Sequence, residues 1–189
     1  MRRLLAVLGW AFALVATPAF AAPDNCSRTE PSGERTMCHE AVIAAPVSEV
    51  WALFSTTEGL ASWVAPVAAI DLRPGGMWES SYDRAARLGD AGNIRNRVIA
   101  ITPERSLIIQ VAGAPPNFPH ADLVGELVTV IAFEPVDAAN TRVRVTMLGY
   151  RDGEGFDALY RHFEWGNAYT LDALAARVSA GPTDWSAAQ

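Results

Sequence analysis

The sequence predicts an α+β domain in which a curved seven-stranded antiparallel sheet wraps around a long C-terminal helix. Two observations predict this fold. Seven strand-like runs are joined mostly by short turns, and helical periodicity appears only after the first run and at the end of the chain. The 189 residues suit one domain, and 50% hydrophobic with 19% charged residues is globular usage that excludes a disordered chain.

The first strand is followed by two short helices. The run Thr36–Ala44 is predicted to be a strand because it ends in consecutive apolar residues. Pro46–Phe54 is predicted to be helical because its apolar residues recur at three- and four-residue intervals. Ser55–Glu58 supplies a capping sequence, and Leu60–Trp63 forms a second short helix that stops before Pro66.

Six further strands follow, and most are separated by turns rich in Pro, Gly, Asp and Asn. Short connections imply antiparallel neighbours. The stretch Ala114–Asp122 is instead a proline-containing surface loop, and loops of this kind often border functional sites. The six strands are predicted at Val67–Leu72, Met77–Asp83, Ile94–Ile101, Leu107–Ala112, Leu127–Glu134 and Arg142–Leu148.

The last element is a long helix over Glu154–Ser179, which ends before Gly181 and Pro182. Its apolar stripe is interrupted in the middle by Gly166 and Asn167, where bulky side chains are expected. Such a gap either lets the sheet approach closely or leaves room beside the helix. The sequence therefore gives a first indication of a cavity.

The N-terminus is typical of an exported protein. Two arginines precede the apolar stretch Leu4–Ala16, and Ala19 and Ala21 form a small-residue cleavage site. The apolar stretch is shorter than the roughly 18 to 20 residues that span a bilayer. We therefore predict a signal peptide over residues 1–21 and a periplasmic or secreted mature protein without a membrane span. A retained N-terminal anchor is the alternative.

The charge balance argues against nucleic acid as a partner. The chain has 15 arginines, no lysine and 21 acidic residues, for a formal charge of −6. Cleavage after residue 21 would remove two arginines and no acid, which leaves −8. A protein with this net charge lacks the positive field that attracts phosphate backbones.

The two cysteines, Cys26 and Cys38, are predicted to form a disulfide in the oxidising compartment that export implies. The disulfide would tie a polar N-terminal arm, residues 22–35, to the folded domain, residues 36–180; residues 181–189 form a tail. A metal site with His39 is the alternative, but a fourth ligand at a familiar spacing is missing from the sequence. No metal site and no cofactor are predicted.

Familiar catalytic motifs do not occur in the sequence, which has no nucleophile elbow, P-loop, dinucleotide fingerprint or zinc-protease motif. The histidines His39, His120 and His162 lie far apart and are interpreted as surface or hydrogen-bonded imidazoles. The segment Tyr160–Glu164 holds acidic and basic groups, but helix neighbours two positions apart face different directions. The sequence identifies no catalytic residues.

Strand alternation predicts an arginine in the cavity. Ile99 and Ile101 share one face, and stepping back along that face leads to Arg97. An inward guanidinium among apolar walls would recognise a carboxylate or another acidic head group. The alternative is that Arg97 pairs with Glu79 or Glu126.

Aromatic and polar residues on the strands and the last helix are further candidates for the cavity lining. Aromatic residues at such spacings fill protein interiors more often than they stack on ligands. The predicted ligand-binding residues are Trp63, Trp78, Tyr82, Arg97, Gln110, Tyr150, Phe163, Asn167 and Tyr169.

Three segments carry a family resemblance: Ile43–Phe54, Gly59–Trp63 and Ile70–Trp78. Together they resemble the START-like (SRPBCC) superfamily, and within it the branch of heat-shock-protein ATPase activator homologues (AHSA1-like). The resemblance extends over residues 36–178. It implies a helix-grip fold with a deep, largely apolar cavity between the curved sheet and the C-terminal helix. Members of the superfamily bind lipids, steroids, polyketides or plant hormones, and a few catalyse cyclisation.

One departure from the family pattern concerns the last helix. The family often has Gly-Trp about four residues before Leu-Asp, whereas here Gly166 is followed by Asn167 and the tryptophan is Trp165. The resemblance then implies a cavity that is more polar than usual, because an amide replaces a ring that would fill space.

Three functions compete. The first is an exported protein that binds a small apolar or amphipathic molecule in the cavity. The second is a cyclase- or hydratase-type enzyme, which needs a converging titratable pair such as Tyr150 or Tyr169 with Arg97 or Glu126. The third is a protein-interaction module like the chaperone-activating relatives, and export argues against that role because the chaperone is cytosolic.

Overall fold

The computed structural model describes residues 22–187 of the chain. The predicted signal peptide, residues 1–21, lies outside the described residues, as do the last two residues of the predicted tail. The α+β prediction is confirmed: a large antiparallel sheet is combined with a long C-terminal helix, and two short helices follow the first long strand.

The elements agree closely with the predicted ones. Each of the seven predicted strands is present, and two strands of two residues each precede them. In chain order the elements are β1 (Asp24–Asn25), β2 (Arg28–Thr29), β3 (Arg35–Ile43), α1 (Val47–Ser55), α2 (Thr57–Ala61), β4 (Val67–Ile70), β5 (Met77–Ser81), β6 (Ile94–Thr102), β7 (Ser106–Gly113), β8 (Val128–Pro135), β9 (Thr141–Tyr150) and α3 (Glu154–Ala180).

In the sheet, the first long strand, β3, pairs with the last strand, β9. Its seven long strands lie in the order β3-β9-β8-β7-β6-β5-β4, and every neighbouring pair is antiparallel. The short strands β1 and β2 pair with the free edge of β3. This edge of the sheet is thereby covered, which protects it from pairing with another chain.

The predicted disulfide between Cys26 and Cys38 is confirmed, with a Cα–Cα distance of 4.8 Å. The backbone N–H of Cys26 also donates to the carbonyl of Cys38 at 2.8 Å. The Asn25 amide donates to a Glu164 carboxylate oxygen on α3 at 3.2 Å. The alternative of a metal site is wrong, because each sulfur is bonded to the other. The arm is therefore attached to both β3 and α3.

The buried apolar side chains form two clusters that contact different halves of α3. The larger cluster includes Phe54 and Trp63 from the helical segment after β3, with Leu171 and Leu174 from the C-terminal half of α3. The smaller cluster includes Leu159 from the N-terminal half of α3. Between them, every side chain at positions 160–170 is half-buried or exposed. The middle of α3 therefore does not pack tightly onto the sheet.

Candidate functional site

A cavity of about 540 Å³ lies between the sheet and the middle of α3. One wall comes from the chain after β5 and from β6 and β7, and a second comes from the loop after β7. The helix supplies the third wall with seven positions. These helix positions are His162, Phe163, Trp165, Gly166, Asn167, Tyr169 and Thr170.

Gly166 is the point at which the helix leaves space open. A Cβ atom added there would meet no heavy atom within 4 Å, apart from those of its own helix turn. The adjacent Asn167 also lines the cavity, and its amide donates to the sulfur of Met37 on β3 at 3.4 Å. The interruption that the sequence shows in the apolar stripe is therefore a real gap in packing, beside a polar side chain.

The proline-containing loop after β7 forms the aromatic end of the cavity. Ala114, Pro115 and Phe118 of this loop line it. The Phe118 ring meets the His162 ring edge-on at a centroid distance of 5.0 Å and lies 6.0 Å from Phe163. The loop thus packs on α3 through ring contacts, which supports the expectation that it borders a site.

Exposed aromatic rings surround the mouth. Trp165 and Tyr169 are stacked, with ring centroids 5.3 Å apart and planes 14° from parallel. They are 67% and 54% exposed, and Tyr82 across the opening is 63% exposed. Large rings of this kind are usually buried or paired with a partner. The cavity therefore opens to solvent through an aromatic rim.

A second, smaller cavity of about 260 Å³ adjoins the first and shares Tyr82, Tyr169 and Thr170 with it. Trp63 and Arg84 also line this smaller space. The two cavities therefore form neighbouring compartments around the same tyrosines.

The polar groups of the larger cavity are amides, hydroxyls and an imidazole. Asn96 and Asn167 supply the amides, and Tyr82, Tyr169 and Thr170 supply the hydroxyls. Desolvation, and then the nearby phenol of Tyr169, raise the pKa of Tyr82 even though its ring is largely exposed. The Tyr82 phenol is thus a neutral hydrogen-bonding group at physiological pH.

The structure brings five of the nine predicted ligand-binding residues to these cavities. Tyr82, Phe163, Asn167 and Tyr169 line the larger one. Trp63 lines only the smaller one, and its indole N–H donates to the carbonyl of Leu53 at 3.0 Å. Contact of these residues with a ligand stays a prediction.

Three other predicted residues line neither cavity, and their side chains pack or form hydrogen bonds elsewhere in the domain. Trp78 is buried in the larger cluster, where it meets Phe54 edge-on at 6.4 Å. The Gln110 amide donates to the carbonyl of Gly125 at 2.8 Å. Tyr150 is buried in the smaller cluster with its hydroxyl 3.8 Å from the sulfur of Met147, and burial raises the pKa of its phenol.

Arg97 does not face the cavity, contrary to the expectation from strand alternation. A bulge interrupts the register of β6 between Val98 and Ala100, so that Val98 is buried while Ile99 is 41% exposed. Arg97, Val98 and Ile99 alternate regularly, and the bulge means that Ile99 does not share a face with Ile101, which packs against the larger buried cluster. Counting back from Ile99 therefore follows the outer face of the sheet. Arg97 is exposed, and the neighbouring Asn96 lines the cavity instead.

The two carboxylates proposed as partners of Arg97 are also engaged elsewhere. Glu79 accepts hydrogen bonds from the Asn93 amide and from the backbone N–H of Gly89, both at 2.6 Å. Glu126 pairs with Arg151. Neither Arg97 nor Glu126 lines the larger cavity, so neither of them meets Tyr169 there as expected for the enzyme alternative.

The sequence reasoning missed several lining residues. Asn96 was missed because the alternation was counted from Ile99 and Ile101, and its position between Arg95 and Arg97 gave no signal of an inward side chain. Phe118 lies within the loop already identified as a border, and Trp165 was noted only as a displaced tryptophan. His162 was interpreted as a bland surface imidazole, yet it packs on Phe118 at the cavity edge.

Residues 22–187 contain no group of three or more His, Cys, Asp or Glu side chains positioned to hold a metal ion. No helix within this range is long and apolar enough to cross a membrane.

Comparisons with solved structures identify similar folds. The solution structure of the Aha1 dimer from Colwellia psychrerythraea is 20% identical, with 77% of this chain and 97% of that chain covered and a TM-score of 0.59. The crystal structure of CalU16 from Micromonospora echinospora is 18% identical, with 87% and 88% covered and a TM-score of 0.60. Protein MLL2253 from Mesorhizobium loti is 16% identical, with 79% and 100% covered and a TM-score of 0.61.

Likeness at these identities shows the fold alone. No curated protein matches the sequence. A family model described as "Activator of Hsp90 ATPase homolog 1-like protein" does match, over residues 44–179, and this range includes every strand from β4 onward and nearly all of α3. The predicted resemblance is confirmed, and the chain belongs to the family of activator of Hsp90 ATPase homolog 1-like proteins.

Proposed function

We propose that this protein is exported and binds a small hydrophobic or amphipathic molecule in the cavity between the sheet and α3. The observation that carries the proposal is the open space of about 540 Å³ beside Gly166, at a level where neither buried cluster fills the interior. Small-molecule sites commonly have volumes of about 300 to 1,000 Å³, apolar walls and a few polar groups. The ring-lined walls and the amides of Asn96 and Asn167 fit that description.

The disulfide supports the export part of the proposal. Disulfides persist in oxidising compartments and are rare in the cytosol. The Cys26–Cys38 bond attaches the arm that would directly follow a cleaved signal peptide. Export would account for both the predicted signal peptide and the disulfide that follows it.

A protein-interaction role is a second candidate, favoured by the family's description as activators of the Hsp90 ATPase. A module of that kind needs an interaction surface and no internal guest. The two candidates therefore differ in whether the purified protein carries a small molecule, and whether filling the cavity changes what the protein binds.

The test is native mass spectrometry of the full gene product, expressed in a host that can export it and purified without denaturant. We expect a bound organic mass on the wild type. We expect Gly166→Trp to lose it because the added ring occupies the open space, with uptake weakened by about tenfold or more.

Gly166→Ala is the matched control. It adds one methyl to the same open space, retains uptake, and stabilises α3 by about 1 kcal/mol through helix propensity. Circular dichroism of both variants verifies that the fold is kept. A wild type that carries no guest and takes up no fatty acid, sterol or polycyclic aromatic probe contradicts the proposal, as does equal uptake by the tryptophan variant.

A further inference from the structure

We infer that the cavity selects an uncharged, flat aromatic molecule with hydrogen-bonding groups over an acyl chain or a carboxylate. This inference rests on the proposed function and names the ligand class of the same site. Three independent features of the described residues carry it: the charge of the lining, the rings at the loop, and the stacked rings at the mouth.

The lining of the larger cavity contains no carboxylate and no guanidinium group. None of the described residues that form it is Asp, Glu or Arg, and its polar atoms belong to amides, hydroxyls and one imidazole. A buried carboxylate needs a cation or several strong donors, because burial of an unpaired charge is costly. Amides and hydroxyls instead match carbonyl and hydroxyl groups on a neutral guest.

Three arginines elsewhere in the domain do not line the larger cavity. Arg97 lies on the outer face of the sheet. Arg35 pairs with Asp157 at 2.5 Å and donates to the carbonyl of Arg151. Arg84 lines the smaller compartment. Hydrogen bonds from Ser186 are the main cause of the lowered pKa of the Asp184 carboxyl, and the charge of Arg84 contributes a smaller part. An anionic head group that reaches Arg84 is the rival interpretation, and the experiment separates the two.

The walls favour flat rings. At the loop end, Phe118, His162 and Phe163 lie within 5.0 to 6.0 Å of one another. At the mouth, Trp165 and Tyr169 form a nearly parallel stack that is exposed to solvent. An aromatic ligand gains interaction free energy from offset-stacked or edge-to-face contacts with these rings, in addition to the free energy of burial. A flexible alkyl chain makes no such contacts and loses more conformational freedom on binding.

The experiment compares four probes that combine an aromatic ring system or an alkyl chain with an alcohol or a carboxylate group. They are anthracenemethanol, anthracenecarboxylate, dodecanol and dodecanoate. Dissociation constants are measured by calorimetry on the full chain after removal of any bound guest. We expect anthracenemethanol to bind about tenfold more tightly than either the carboxylate or the aliphatic alcohol, with dodecanoate weakest.

Variants at the mouth give a second readout that does not depend on folding, because Trp165 is exposed. Trp165→Leu weakens anthracenemethanol about tenfold and leaves dodecanol nearly unchanged, whereas Trp165→Phe keeps a ring and stays within about threefold of the wild type. Arg84→Gln is silent toward anthracenemethanol. A loss of carboxylate binding in that variant, from a wild type that prefers carboxylates, supports the rival.

The outcomes separate this inference from the proposed function. Preference for dodecanoate or anthracenecarboxylate, or a fatty acid as the guest of the purified protein, overturns the aromatic assignment and leaves the binding function intact. If Trp165→Leu weakens the binding of anthracenemethanol and dodecanol equally, the aromatic assignment is also overturned. Absence of any guest together with no uptake of all four probes overturns both.

Discussion

His39 is a buried titratable residue that links stability to pH. Its side chain is 3% exposed on β3, and its Nδ1 has no hydrogen-bond partner among residues 22–187. Burial lowers the pKa of the imidazole, and the carboxylate of Glu164 on α3 opposes that shift with a smaller effect. The neutral imidazole is therefore the form that the fold accommodates.

This gives a prediction with a defined sign. The unfolded chain binds a proton at His39 near the ordinary value of about 6.5, and the folded chain binds it only at lower pH. The free energy of unfolding therefore falls as pH is lowered from about 7 through that window, by at most about 1.4 kcal/mol per pH unit from this group.

The measurement is denaturant unfolding of the wild type and His39→Gln between pH 5 and 8. The difference between the two free energies isolates His39, because the other titrating groups are common to both proteins. We expect the wild type to lose stability relative to the variant toward acidic pH. A difference that does not change with pH would contradict this prediction.

The sequence-based prediction succeeded and failed at residue scale for identifiable reasons. Gly166 and Asn167 were identified because a missing bulky residue interrupts a helical period that is otherwise regular. Arg97 was placed on the wrong side because the alternation of β6 shifts at a bulge, and a bulge is a matter of pairing between strands. Composition and local periodicity contain no record of that pairing.

At the scale of elements, the N-terminal arm stabilises the domain through its disulfide. The bond closes a loop between positions 12 apart in the sequence. In the chain-entropy model a loop of that size stabilises the fold by roughly 3 kcal/mol, because the unfolded chain loses freedom. The arm also contributes two short strands that pair with β3.

We predict that Cys26→Ala with Cys38→Ala lowers the free energy of unfolding by roughly 3 kcal/mol. Reductant should lower the wild-type stability by a similar amount and have no effect on the double variant, which is the control for non-specific effects of the reagent. Thermal unfolding followed by circular dichroism provides the comparison. Equal stability of the reduced and oxidised wild type would show that the arm contributes little.

Helix α3 is held at both ends and loose in the middle. Near its N-terminus, Asp157 pairs with Arg35 of β3 at 2.5 Å. Near its C-terminus, the Arg177 guanidinium donates to the Ser62 hydroxyl at 2.8 Å. Between these contacts the helix borders the cavity. The amides of a helix are usually least protected from hydrogen exchange at its ends. In α3 we therefore expect the least protected amides to lie in the middle.

Hydrogen exchange measures this directly. Amides in residues 160–169 are expected to exchange faster than those in residues 171–178, whose side chains Leu171 and Leu174 are fully buried. Exchange read by mass spectrometry on overlapping peptides gives the comparison, and the Gly166→Trp variant should slow the middle segment. Uniform protection along α3 would rule out a loosely packed middle.

For the whole molecule, local signals predicted most of the architecture. All seven long strands and three helices were predicted with ends within a few residues, since turn residues and helical periodicity are local properties. The cavity size and its aromatic rim were beyond local reasoning. They depend on how Phe118, from one loop, and Trp165, from the last helix, come to line the same cavity.

The pairing of β3 with β9 has a consequence for how this chain matures. The Arg144 guanidinium donates a hydrogen bond to the Glu40 carboxylate across these strands, although 104 positions separate the two residues. Strand β3, near the start of the domain, therefore gains its long neighbour only from β9, near the end. A nascent chain emerging from the ribosome or a translocation pore holds β3 without its neighbour until synthesis has passed Tyr150. Formation of the sheet therefore depends on long-range strand pairing, which is associated with slow folding on the millisecond-to-second scale.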